Sequence, residues 1–253
     1  MGALLLIGHK FIVVLEGYKN MQQNYFKLLI FDKDGTLFDF SRSWNNWAKS
    51  ALSALADGDE TLFRTLADRL SFDPDRGVFL PDSIAIAGTL DETAHHLAPL
   101  FGADFTPQQI AALLHQLAQS AVMVEAAPLA PLLTGLQKAG YLLAVATNGQ
   151  KDEAEAHLAA HEIRPYFAEV IGCDSGHGAK PDPAMCAHIA QACGVAPARA
   201  VMVGDSLHDL RAGRAAGMAT VGVLTGLAVH GALMPHADAV LPDIGHLPAW
   251  LGH

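Results

Sequence analysis

The run Lys27-Leu28-Leu29-Ile30, apolar after its first residue, leads straight into Phe31-Asp32-Lys33-Asp34-Gly35-Thr36-Leu37-Phe38-Asp39. The run is too short for a helix and has no helical period, so it reads as a buried β-strand. Two carboxylates one residue apart, just past a strand end and followed by Gly-Thr, make a dense negative patch. In open α/β sheets, that edge is where ligands bind. One carboxylate there can attack an electrophile while its neighbour protonates a leaving group. Their mutual repulsion favours a bound cation. Taken alone, Asp-x-Asp-Gly is also an ordinary acidic turn, so the rest of the chain has to decide.

The same arrangement recurs. Tyr141-Leu142-Leu143-Ala144-Val145-Ala146 runs into Thr147-Asn148-Gly149, and Ala200-Val201-Met202-Val203 runs into Gly204-Asp205, with Asp209 shortly after. Between them, Gly178-Ala179-Lys180-Pro181-Asp182-Pro183 sets a lysine in a loop. Strands are expected at 141–147, 168–172, 200–205, 219–224 and 238–241, alternating with helices at 131–139, 151–160, 183–194 and 207–216. That alternation implies a Rossmann-like parallel sheet with helices on both faces.

Between Phe40 and about Glu125 the pattern becomes helical only. Trp44–Ala56 and Glu60–Leu70 are amphipathic. Thr89-Leu90-Asp91-Glu92 and Thr106-Pro107-Gln108-Gln109 are capping boxes opening helices to about Leu100 and Val124. The reading is an α/β core over 25–40 and 126–253, with an inserted all-helical domain over 41–125. Ala126-Ala127-Pro128-Leu129 is the expected hinge. Residues 1–24 are expected to be an N-terminal extension, with Met21 as the native start or, alternatively, with 1–20 as a short accessory strand or anchor. Ala3-Leu4-Leu5-Leu6-Ile7 is broken by Gly8-His9-Lys10, so no stretch there reaches the ~20 residues of a membrane span. Nor does it have the basic start and small-residue cleavage site of a signal peptide.

Competing motifs fail. A calcium loop from Asp32 needs Gly at its sixth position and Glu at its twelfth, where the chain has Leu37 and Ser43. Lys180 follows Ala and precedes Pro, so it is no Walker lysine, and Gly176-His177-Gly178 opens no dinucleotide fingerprint. There is no Gly-x-Ser-x-Gly elbow. His157 and His161 have helical i, i+4 spacing without an intervening zinc-type Glu, which reads as a solvated helix face.

The strand-end motifs, in order, resemble those of the haloacid dehalogenase-like hydrolases over about 25–40 and 126–248. An all-helical insert straight after the first motif resembles the C1 cap of the phosphoglycolate phosphatase-like branch. The resemblance implies a magnesium-dependent phosphatase acting on a small phosphorylated, phosphoglycolate-like metabolite. Asp32 would be the nucleophile forming an aspartyl-phosphate, and Asp34 the general acid and base. Thr147 and Asn148 would bind phosphoryl oxygens, and Lys180 would neutralise both phosphate and Asp32. Asp32, Asp205 and the Asp34 carbonyl would hold Mg²⁺, with Asp209 ligating through water or orienting Lys180. Gly35 and Thr36 would shape the turn, and Asp39 would either orient the linker or cap a helix. A cap would shield the acyl-phosphate and read the substrate body. Arg42, Trp44, Trp47 and Arg76 are its candidates, with the tryptophans expected mainly to pack the cap and the arginines to bind substrate or stay on the surface. Asp34 sets the chain apart from dehalogenases, which need no acid for a halide; the cap offers only Lys49 for a phosphonatase Schiff base. A sugar-phosphate mutase or a non-catalytic binding protein on this fold are the alternatives.

Composition points the same way. The formal charge of −10 argues against nucleic acid and anionic membrane as partners, whereas a bound cation can still reverse the sign locally for a phosphate. Cys173, Cys186 and Cys193 form no paired framework, which suits a reducing cytoplasm. Cys186 and Cys193 are expected to be small core residues. The chain is expected to be a monomer or homodimer.

Overall fold

In chain order the strands are β1 (Leu28–Phe31), β2 (Phe72–Asp73), β3 (Val78–Phe79), β4 (Leu142–Ala146), β5 (Glu169–Ile171), β6 (Ala200–Gly204), β7 (Ala219–Val223) and β8 (Ala239–Leu241). The α-helices are α1 (Phe40–Ala56), α2 (Glu60–Arg69), α3 (Leu90–Leu97), α4 (Pro107–Gln119), α5 (Leu129–Lys138), α6 (Lys151–Ala160), α7 (Ala184–Ala192), α8 (Leu207–Ala215), α9 (His230–Leu233) and α10 (Leu247–Trp250). They belong to a computed structural model describing residues 25–80, 83–86, 88–102 and 105–253. The expected start at Met21 lies outside the described residues.

β1 is the middle of the molecule. It pairs in parallel with β4 on one side and β6 on the other, within a sheet of order β5-β4-β1-β6-β7-β8 whose pairings are all parallel. Side chains alternate across a strand, and here both faces are covered. Leu28 and Ile30 join Ala144, Ala146, Met202, Met185 and Ile189 in one core cluster, while Leu29 and Phe31 join Leu143, Val145, Val201 and Val203 in the other. A strand apolar on both faces is therefore what this position demands. The expected parallel sheet with helices on both sides is what the chain forms.

The helices between β1 and β4 differ from expectation at their ends. α1 starts at Phe40 rather than Trp44 because Asp39 caps it, its Oδ1 accepting from Arg42 N at 2.9 Å. Both capping boxes form, at Thr89/Glu92 and Thr106/Gln109. α4 stops at Gln119, not Val124, because the following residues return to the core. Val124 O accepts from Asp39 N at 2.8 Å, and Val124 N donates to Ser43 Oγ at 3.0 Å. The insert is also not wholly helical. β2 and β3 pair antiparallel, Phe72 opposite Phe79, and two-residue strands are too short to leave a sequence period. No helix among the described residues is long and apolar enough to cross a membrane.

Candidate active site

Asp32 extends β1 by one bond, its N donating to Val203 O at 2.9 Å, and so emerges at the carboxyl end of the sheet. The chain then turns back on itself. Gly35 N donates to Phe38 O at 2.7 Å and Phe38 N to Lys33 O at 3.0 Å. Gly35 sits at φ +86°, where a Cβ would also stand 2.5 Å from Asp205, so glycine is required there on both counts. Thr147 follows β4 directly, Asp205 follows β6 directly, and Asp209 stands in the first turn of α8. Three adjacent strand ends thus bring together residues more than a hundred positions apart in sequence.

Lys180 comes from the loop before α7. Its backbone is held by a reciprocal pair with Asn148: Lys180 N donates to Asn148 Oδ1 at 2.8 Å, and Asn148 Nδ2 donates to Lys180 O at 3.0 Å. Its ammonium donates to Asp32 Oδ1 at 2.5 Å, Asp209 Oδ1 at 2.6 Å and Ala146 O at 2.7 Å. An ammonium has three protons, so Lys180 is saturated. Burial pulls it toward the neutral form, but Asp209 and Asp32 more than reverse this and hold it above the ordinary lysine value. Asp209 Oδ2 accepts from Ser206 N at 3.0 Å and Ser206 Oγ at 2.7 Å.

Asp32, Asp205 and Asp209 each offer an oxygen within 4.8 Å of the others, and all three are buried. Burial, opposed by Lys180 and reinforced by Asp209 and Asp34, pushes Asp32 up to about 7. Asp205 is raised well above the carboxylate range by burial, then by Asp209 and Asp32. One ammonium faces three buried carboxylates, an imbalance that a hard divalent cation with oxygen ligands removes. The donor set fits such an ion.

Asp34 leads to a second buried cluster that sequence reasoning missed. Its Oδ1 accepts from Trp44 Nε1 at 2.8 Å, and its Oδ2 lies 3.1 Å from Lys33 Nζ. Lys33 is fully buried and also donates to Glu153 Oε1 at 2.8 Å and His157 Nδ1 at 2.9 Å. Asp34 and Glu153 keep its ammonium above the usual lysine value against the pull of burial. Trp44 therefore does more than pack: the first turns of α1 hold one oxygen of Asp34.

His157 corrects the solvated-face reading of α6. It is buried, and its Nε2 lies 3.0 Å from Ala118 O on α4. His161 leans on Phe38 at 4.8 Å between centroids and lies 3.3 Å from Glu125. Nδ1 of His157 accepts from Lys33, so Nε2 carries the proton and donates to Ala118. Burial, then Lys33, push its pKa down to about 4. A histidine depressed in the fold contributes stability above its unfolded value near 6.5, lost as pH falls through about 4. The melting temperature of His157→Gln relative to the parent is thus expected to rise as pH falls across that window. The two proteins should diverge by up to about 3 kcal/mol; a pH-independent difference would refute the assignment.

The cleft above these groups holds about 650 Å³ of empty space, part of it open to solvent. Asp32, Asp34, Thr147, Asn148, Lys180, Asp205 and Asp209 all line it. Arg42 and Arg76 do not: Arg42 is exposed on α1, and Arg76 is 72 % exposed beside Asp73. They fail as site candidates because a position near the linkers says nothing of which helix face looks inward. Cys186 is buried, as expected, and burial pushes its thiol up to about 12, while Cys193 is only partly buried.

The family model of the haloacid dehalogenase-like hydrolases matches residues 26–217, most of the chain and all the motif residues. The chain belongs to the haloacid dehalogenase-like hydrolases. Among relatives of this hydrolase, the phosphoglycolate phosphatase of Neisseria meningitidis is 39 % identical over 115 residues, covering 45 % of this chain and 48 % of that protein. That of Escherichia coli is 34 % identical over 124 residues, 49 % of each. The chain spans about half the length of the curated relatives it matches. A solved structure from Haemophilus somnus, described as a predicted phosphoglycolate phosphatase, superposes with TM-score 0.70 at 23 % identity over 90 % of this chain and 98 % of that one. CbbY of Rhodobacter sphaeroides, solved with phosphate, gives 0.65 at 20 % identity over 88 % and 96 %. These two likenesses bear on the fold alone.

Proposed function

We propose that this hydrolase is a magnesium-dependent phosphatase that releases phosphate from a small phosphorylated metabolite through an aspartyl-phosphate on Asp32. The observation that carries the reading is the buried set Asp32, Asp205 and Asp209 facing Lys180 at three adjacent strand ends. In this reading an Asp32 oxygen bonds phosphorus as the ester P–O bond breaks, and a proton passes from Asp34 to the leaving oxygen. Water then attacks phosphorus and gives its proton to Asp34, freeing Asp32 and inorganic phosphate. Thr147 and Asn148 bind phosphoryl oxygens, and Lys180 offsets their charge. Asp32 and Asp205, with the Asp34 carbonyl, would hold Mg²⁺, which supplies charge neutralisation on the phosphoryl group when bound. Asp209 orients Lys180, consistent with their 2.6 Å contact. The segment 41–125 acts as the cap, and the protein works in the cytoplasm, in keeping with its three free cysteines.

The test is phosphate release from para-nitrophenyl phosphate with Mg²⁺ and with a strong chelator. Activity that the chelator abolishes and excess Mg²⁺ restores is expected; full activity in chelator would defeat the metal-dependent reading. A subtler variant probes the metal pocket from outside the ligands. A Cβ on Gly226, in the loop after β7, would stand 1.7 Å from Asp205 Oδ2. Gly226→Ala should therefore raise the Mg²⁺ concentration for half-maximal activity by about tenfold or more, as when a ligand loses its support. An unchanged Mg²⁺ titration would mean that the loop simply moves aside.

A further inference from the structure

We infer that the cleft selects phosphomonoesters whose alcohol part is uncharged and apolar, aromatic or bulky aliphatic, and discriminates against a second anionic group on the substrate. The inference rests on the phosphatase reading and names its substrate class. It departs from the phosphoglycolate-like ester that family resemblance alone suggests.

Beyond the phosphate floor, the cleft is walled by Phe40, Trp44, Trp47, Phe79 and Leu90. Trp44 fixes where that wall begins. Its Nε1 is 2.8 Å from Asp34 Oδ1, the group that serves the leaving oxygen, so the first carbons past the ester bond meet the indole. Trp47 stands edge-on to Trp44 at 5.1 Å, and Phe40 meets Phe79 at 5.8 Å, so the wall carries two aromatic pairs.

Positive charge is scarce on this wall. Among the described residues, Lys180 is the only lysine or arginine on the lining, and its three protons are already given to Asp32, Asp209 and Ala146. His208, next to Asp209 in sequence, also lines the cleft and has interactions of its own. Glu153 also lines the cleft, its Oε1 held by the buried Lys33 at 2.8 Å, and Lys33 itself is not on the lining. A substrate carboxylate or second phosphate would lose its water against aromatic rings, with no lysine or arginine on the described lining left to pair with it. An apolar body gains by the same burial.

The experiment compares kcat/KM for benzyl phosphate and phosphoglycolate in the parent protein with Mg²⁺. Both leave as alkoxides, so the ratio reads the organic body rather than leaving-group ability. Benzyl phosphate should be favoured by about 10²-fold or more; parity, or a preference for phosphoglycolate, overturns the inference. Hydrolysis of para-nitrophenyl phosphate and phosphoglycolate without benzyl phosphate would reject this substrate class while sparing the phosphatase reading. No hydrolysis of any of the three would reject both. Leu90→Arg, a partly buried position at the start of α3, should shift the ratio at least tenfold toward phosphoglycolate. Trp47→Ala should cost benzyl phosphate at least tenfold more than phosphoglycolate. Equal losses on both esters with both variants would count against a specificity wall.

Discussion

Asp32→Asn is expected to retain its fold and to lose hydrolysis by at least about 10³-fold, as other hydrolases do when a nucleophile is removed. No neighbouring group can stand in. Asp34 is turned to Trp44 and Lys33, while Asp205 and Asp209 are held by the floor of the site. The amide is nearly isosteric and neutral, so it also relieves the crowding of three buried carboxylates. The variant should therefore melt no lower than the parent in metal-free buffer. Phosphate-release assays on protein verified by mass spectrometry to be free of deamidation provide the check. Residual activity above a few per cent would remove Asp32 from the nucleophile's role.

Lys180→Ala is expected to lower kcat/KM by about 10² to 10³-fold, the range for loss of one transition-state electrostatic donor. Unlike Asp32→Asn, it should also destabilise the metal-free protein, by roughly 3–5 kcal/mol, because it strips the counter-charge from a buried cluster. Mg²⁺ should recover part of that stability by binding the folded state. Lys180→Arg should not restore catalysis. The ammonium sits within 2.7 Å of three acceptors on three different segments, a geometry that a flat, wider guanidinium does not reproduce. Steady-state kinetics with thermal melts in chelator and in Mg²⁺ decide the matter. An alanine variant within a few-fold of the parent would show that the lysine is not part of the chemistry.

Most of the cleft floor was legible because its residues end or follow an apolar run, and a strand end is recorded in local sequence. Asp32, Thr147 and Asp205 needed only that pattern, and Lys180 only the order of the motifs. Lys33 carries no such mark. A lysine between two acids looks like a solvated turn residue, and its partners Glu153 and His157 lie 120 and 124 residues away. The same distance effect misread α6. Its buried side is Glu153, Ala154, His157 and Leu158, half of it polar, so an apolar-stripe criterion assigns that side to solvent. Trp44 was legible as a buried residue but not as a partner of Asp34. Arg42 and Arg76 failed for the converse reason: their charge suggested a phosphate ligand, while the rotation of α1 and the β2–β3 turn point them elsewhere.

Two passages of chain join the insert to the sheet, and they run side by side. Phe38 bridges Glu125 antiparallel, Asp39 N bonds Val124 O, and Ala126 N bonds Leu37 O at 3.0 Å. The sheet thus meets the whole of 41–125 as it would a hairpin loop whose ends are already clasped. Lengthening such a loop costs little, about 0.6 kcal/mol for each doubling, and no strand of the sheet passes through it. An ancestral core could therefore have accepted, enlarged or exchanged this piece without relearning how to fold. New substrates would then be acquired by transplanting the wall that reads them onto a floor that stays the same.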